Sequence, residues 1–280
     1  MKNRLGIFVI IVTAMIFASC EPVENRMEMK GAVTEAEISQ YVSVTAEMRD
    51  GKRSNFLLLK SEGLKALTSF QHGLGTYVGT NGRVQGFVVP GNQVVIVTIL
   101  NPDGTKITKT YPVEVDECFD VAPEWALFCG TGSKTWSWDE SVNDPYGMGD
   151  AFDFAPNWWQ APIDAAEGKG ASMTFSAVGA TLTKTKTNGS TESGTFNFDM
   201  SKTFPSYSSV SKGQLTTTIP VLFGKTTGAD TGIGSDGKDV RVYEIAKLSN
   251  EELVLVWVES DMRPDSEGWG QATWWLFKAK

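Results

Sequence analysis

An all-β chain of two units is predicted, and three observations carry that expectation. Apolar residues alternate with polar ones over short runs, Gly, Asn, Asp and Pro separate those runs, and no stretch holds an amphipathic pattern of three helical turns. The nine tryptophans all lie between positions 125 and 275, so a Trp-free amino-terminal unit precedes a chemically different carboxy-terminal one.

In the first unit, Ile38, Val42, Val44, Ala46 and Met48 fall on alternating positions and are expected on one strand face. Phe56 to Leu59, Val84 to Val89 and Val94 to Leu100 are further β-rich runs. The last ends in Asn101-Pro102-Asp103-Gly104, where Pro presets φ and Gly accepts a positive one, so Ile107 to Val115 reads as the returning hairpin partner. Residues 34–117, in short strands and tight turns, have the size of an immunoglobulin-like sandwich. The stretch from Gly91 through Asn101-Pro102-Asp103-Gly104 to Val115 resembles the closing hairpin of PKD-type domains. Ser69-Phe70-Gln71-His72-Gly73 stands where that family carries a Trp-Asp-Phe-Gly type motif. The resemblance implies a spacer or protein-contact module.

Cys118 to Cys129, with Pro123 between them, forms the junction. A disulfide between these two and a pair of buried free thiols are both open readings. Over 118–280, eight strand-like runs follow: Lys134 to Trp138, Ser172 to Val178, Ala180 to Thr187, Gly194 to Met200, Gln214 to Ile219, Val240 to Leu248, Leu253 to Val258 and Gln271 to Lys278. Asn188-Gly189 reads as a type I′ hairpin turn. Leu253 to Val258 is apolar throughout and is expected to be covered on both faces. The pattern suits an antiparallel β-sandwich or jelly roll, or a closed lipocalin-like barrel.

The amino terminus is of another kind. Lys2 and Arg4 precede an apolar run from Leu5 to Phe17, then Ala18, Ser19 and Cys20. That run falls short of the about 20 residues a membrane-spanning helix needs, so residues 1–20 read as a signal peptide. Small residues directly before Cys20 resemble the lipobox of bacterial lipoproteins, which implies lipid attachment at Cys20. Residues 21–33 read as a tether. Glu21 and Glu24 resemble the signal that sends some Gram-negative lipoproteins to the outer face of the outer membrane; a periplasmic orientation is the alternative. Loss of the leader would leave 23 basic against 33 acidic residues, and since phosphate binding demands a basic surface, nucleic acid is a poor partner. His72, the one histidine, is expected in a turn or at the surface, and His-dependent catalytic triads and zinc sites are correspondingly disfavoured.

Nine tryptophans exceed what one small β core readily accommodates, so some should face a ligand. Trp136 and Trp138 share a strand face, and Trp274 and Trp275 read as a two-sided core. Trp158, Trp159 and Trp269 sit among turn residues. Loop indoles suit sugar rings, whose C–H faces stack while their hydroxyls seek carboxylates and amides, and Asp139, Asp153, Asn157 and Gln271 are the candidate polar partners. The span from Gly132 to Asp139, through Gly147-Met148-Gly149 to Pro156-Asn157-Trp158-Trp159, resembles the start of carboxy-terminal domains in surface lipoproteins of Gram-negative, Bacteroidota-like polysaccharide-utilisation systems. It implies capture of polysaccharide or oligosaccharide at the cell surface beside outer-membrane transporters. A protein-binding adhesion module is the alternative. A glycoside hydrolase would need paired carboxylates, for which Asp139-Glu140 and Asp265 with Glu267 are available. No cofactor is expected. Asp230, Asp236 and Asp239 in a Gly-rich loop raise calcium, but their spacing is not that of an EF-hand, and a solvated loop is favoured, as for Asp144, Asp150 and Asp153.

Overall fold

The computed structural model describes residues 32–150, 154–160, 167–203, 210–224, 239–258 and 271–280. The leader, Cys20 and most of the tether lie outside them, as do Asp153, Asp230, Asp236, Asp265, Glu267 and Trp269. The chain is all-β, and among the described residues every strand pairing is antiparallel, apart from one isolated parallel bridge between Ser54 and Glu117.

A one-turn helix α1 (Ile38–Tyr41) leads into seven strands: β1 (Val42–Arg49), β2 (Lys52–Ser61), β3 (Leu67–His72), β4 (Gly75–Val78), β5 (Asn81–Gln85), β6 (Gly91–Leu100) and β7 (Lys106–Val115). Ile38 is therefore helical, outside the strand expected to contain it, although it is fully buried with Val42 in the same core. The strands form a three-stranded sheet, β1-β2-β5, and a four-stranded sheet, β4-β3-β6-β7. This is an immunoglobulin-like sandwich in which the fourth strand pairs with the third. Leu57, Leu59, Phe70, Val95, Val97 and Ile99 fill the space between the sheets. β3 and β4 escaped the sequence reading because only Phe70 and Thr68 of β3 are buried, leaving a weak hydrophobic signal.

Helix α2 (Glu124–Cys129) precedes ten strands: β8 (Ser133–Trp138), β9 (Tyr146–Asp150), β10 (Trp159–Gln160), β11 (Ser172–Ser176), β12 (Thr181–Thr185), β13 (Thr191–Asp199), β14 (Gln214–Thr217), β15 (Val242–Leu248), β16 (Glu252–Val258) and β17 (Gln271–Ala279). β11 to β17 follow one another in a meander, and β8 pairs with both β11 and β17. The sheet thus closes, deciding for a barrel over an open sandwich and leaving no free edge around the ring. β17 carries two partners along one edge. Its end, Phe277 to Ala279, pairs with β8, and its beginning, Gln271 to Trp275, pairs with β9. β8 and β9 are therefore one barrel strand interrupted by an excursion over 139–145.

Two hairpins share a turn. Gly189 (φ 81°) donates its N–H to Lys186 O at 2.9 Å, and Gly104 (φ 85°) donates to Asn101 O at 2.9 Å. The residue before each glycine keeps a negative φ and accepts the N–H two residues on: Asn188 from Ser190 and Asp103 from Thr105, each at 2.9 Å. Each is a type I turn completed by a left-handed glycine, which corrects the type I′ expectation at Asn188-Gly189.

The barrel lumen is filled. Trp136, Trp138, Met173, Phe175, Tyr243 and Trp275 are each buried within it. Trp125 and Phe128 of α2 close one end against Phe196 and Phe198, with centroid distances of 5.0–5.9 Å. The Phe128 carbonyl accepts the Trp136 indole N–H at 3.1 Å. Val221, Leu222 and Phe223 close the other end. Trp275 Nε1 donates to Phe223 O at 3.3 Å, and Val221 N donates to the Tyr243 hydroxyl at 3.2 Å. Outside the wall, Val256, Val258, Ala272 and Trp274 form a satellite cluster, so β16 is covered on both faces as its uniform apolarity predicts.

Cys118 packs with the sandwich core and Cys129 lies in the barrel core, and both are free thiols. The disulfide reading is corrected accordingly: α2 buries Cys129 on the barrel side, away from the core that Cys118 joins. Burial pushes the Cys129 thiol up to about 12 and the Cys118 thiol up to about 11, so neither is a nucleophile near neutrality. Asn55 ties the junction. Fully buried, it donates to Phe87 O at 2.9 Å and Phe119 O at 3.1 Å and accepts Phe119 N–H at 2.8 Å.

Candidate functional site

The nine indoles divide by environment. Trp136, Trp138, Trp274 and Trp275 are 0–1% exposed, as a strand-face reading of the first two and a two-sided core for the second two predict. Trp125 and Trp257 are partly buried against the barrel core. Trp158 and Trp159 are 48% and 52% exposed, and Phe154 beside them is 45% exposed. Trp269 lies outside the described residues.

Two glycines explain how this aromatic segment is held. β10 pairs with β9 through Trp159 opposite Met148 and Gln160 opposite Gly147, and Trp158 N–H donates to Met148 O at 2.9 Å. A Cβ on Gly147 would stand 2.1 Å from Trp159 O, and one on Gly149 would stand 2.4 Å from Ala155 O and 2.7 Å from Asn157 Oδ1. Only glycine lets residues 155–160 lie this flat on β9. Gln160 Nε2 donates to Pro156 O at 2.6 Å, bracing the turn that displays the indoles. Gly147-Met148-Gly149 entered the sequence reading only within a resemblance, and β9 was not expected as a strand. Gly149→Ala is expected to destabilise the protein by about 1–3 kcal/mol through overpacking, and to shift the emission of the exposed indoles. Fluorescence-monitored urea unfolding would reveal both.

The remaining candidate residues fare differently. Asn157 shares the segment with Trp158 and Trp159 and is exposed. Gln271 begins β17, paired with Asp150 of β9. Asp139 is 7% exposed and serves the barrel: its Oδ1 accepts Ser141 N–H at 3.0 Å and lies 3.2 Å from Lys278 Nζ. Burial alone would raise its carboxyl, but the Ser141 hydrogen bonds and Lys278 outweigh burial and hold it below the usual carboxylate range. A carboxyl held ionised in this way is ill-suited to donate a proton to a glycosidic oxygen. Asp239 pairs with Arg241 at 2.8 Å. Among the described residues, no three or more His, Cys, Asp or Glu side chains gather as metal ligands, and no helix is long and apolar enough to cross a membrane. His72 ends β3, partly buried, and burial lowers its pKa.

Fold and site together define a class: an all-β chain in which an immunoglobulin-like sandwich precedes a closed, side-chain-filled barrel that displays an aromatic ridge on a flanking strand. No protein-family model matches the chain, and no curated protein sequence matches it.

Proposed function

We propose that this chain is a non-catalytic carbohydrate-binding lipoprotein of the bacterial cell surface, tethered through Cys20. The reading rests above all on Trp158 and Trp159, which are half exposed on a segment that two close-packed glycines hold in place, in a chain that seals four other tryptophans completely. Exposing so much indole forfeits burial of about 25 cal/mol per Å², and stacking on the C–H face of a sugar ring recovers it. Asn157 supplies an amide for ring hydroxyls. Trp158 lies at the bend that leads into β10 and Trp159 begins that strand, so the two exposed indoles are neighbours in sequence.

A glycan array and affinity gels with the mature protein test the proposal. Wild type is expected to be retained by at least one polysaccharide, and Trp158→Ala and Trp159→Ala each to weaken retention about tenfold, the equivalent of 1.4 kcal/mol. No sugar retained by the wild type, or full retention by both variants, would overturn it.

A further inference from the structure

A cleft lies between the two units, lined on the barrel side by β13 and β14 and not by the β9 and β10 segment that carries Trp159. The turn from β3 to β4 reaches across to the barrel, where Leu74 packs against the barrel core. Between that turn and the outer face of β13 and β14 is a cleft of about 380 Å³, within the range of small-ligand sites.

Its barrel wall is a ladder of outward-facing polar side chains. Thr195 and Asn197 alternate with buried Phe196 on β13, and Thr216 and Thr218 alternate with Thr217 along and just beyond β14. Asn197 stands directly opposite Thr216 in the strand register, and neither side chain makes a hydrogen bond among the described residues. Thr218 is already braced, since its Oγ1 accepts Thr195 N–H at 2.7 Å. Thr217 also contributes to the lining, and its buried Oγ1 has no partner among the described residues. The sandwich wall supplies Thr76, His72 and the backbone of Gly73 and Gly75, with His72 Nδ1 accepting the Leu74 N–H at 3.3 Å. Among the described residues, no Lys, Arg, Asp or Glu lines the cleft, although about a fifth of the chain is charged.

We propose that this cleft binds a neutral polyhydroxylated ligand, a mono- or disaccharide unit, gripped between the two units. Uncharged hydroxyl and amide groups beside the small apolar side chains of Leu74 and Ala180 match alternating hydroxyls and C–H faces. An anionic ligand would find no cation to pair with in the described wall. Binding here would also fix the sandwich against the barrel, because each unit contributes one side of the site. The site is independent of Trp158 and Trp159 and would stand if that reading failed.

His72 makes the test direct, since the single histidine gives one set of imidazole signals in the NMR spectrum of the mature protein. Maltose, cellobiose, lactose and xylobiose are titrated separately while the imidazole and indole signals are followed. The proposal expects a saturable shift of the His72 signals with at least one disaccharide, retained in Trp158→Ala/Trp159→Ala and weakened about tenfold in Asn197→Leu/Thr216→Val. Both substitutions are at exposed positions, and an unchanged melting transition would establish that the variant folds. Unmoved imidazole signals with all four sugars, or a shift that the tryptophan variant abolishes and the cleft variant keeps, would overturn it.

Discussion

Lys184→Met is expected to lower stability by about 1–3 kcal/mol, because it leaves the partly buried Glu167 carboxylate short of a charge-assisted hydrogen bond. The Lys184 side chain is only 3% exposed, and its Nζ lies 3.0 Å from both Glu167 Oε1 and Glu192 Oε2. Without it, Lys186 at 3.4 Å is the cation left beside Glu167. The consequence reaches the end plug, since Glu167 Oε2 accepts the Phe223 N–H at 2.9 Å and the Glu167 carbonyl accepts the Trp138 indole N–H at 2.8 Å. Lys184→Met/Glu167→Leu should cost less than the two single changes added together, and a double-mutant cycle in urea would give the coupling. A single-variant loss under 1 kcal/mol would show that the network is relaxed by solvent.

The same pair sets an acid limit. Burial by itself would raise the Glu167 carboxyl, but the hydrogen bond and charge of Lys184, the Phe223 N–H and Lys186 outweigh it, and the pKa lies below the ordinary value. A carboxyl depressed on folding contributes stability that is fully present above its unfolded pKa, about 4.3, and is lost as the pH falls through the lower folded value. Unfolding free energy measured downward from pH 6 should fall in that window, and Glu167→Gln should flatten the fall.

Trp275→Ala is expected to cost about 3–5 kcal/mol, the range for emptying a buried aromatic site. The ring is fully buried, 5.3 Å from Tyr243 and 5.6 Å from Tyr146 by centroid, and its N–H holds the Phe223 carbonyl. Trp159→Ala, in contrast, removes a ring that is 52% exposed and should change stability by about 0.5 kcal/mol. Urea midpoints for the two variants would separate them. Equal losses would show that the exposed indole is a structural prop, which would remove the reason to assign it to a ligand.

The all-β class and all eight carboxy-terminal runs were legible in the sequence because period-two alternation and turn residues are local signals. Hidden were β3, β4, β9 and β10. β9 contains two glycines in five residues, and its place is set by its neighbours, Trp274 of β17 on one side and Trp159 of β10 on the other. The excess of tryptophan pointed to some ring facing outward, but which ring depends on what stands beside it. Asp139 shows the reverse error of reading a residue type without its partners. A carboxylate near tryptophans looks available to a ligand until Lys278, far along the chain, is folded against it.

The sequence by itself determined strand content, the separation of a Trp-free unit from a Trp-rich one, and the turn-rich setting of Trp158, since each follows from near-neighbour chemistry, whereas Trp159 proved to begin a short strand. Tertiary structure decided the closure of the barrel through β8 and β17, the assignment of the two cysteines to different cores, and the polar cleft between the units. Those depend on pairings between residues more than a hundred positions apart, or on surfaces that exist only once both units have formed.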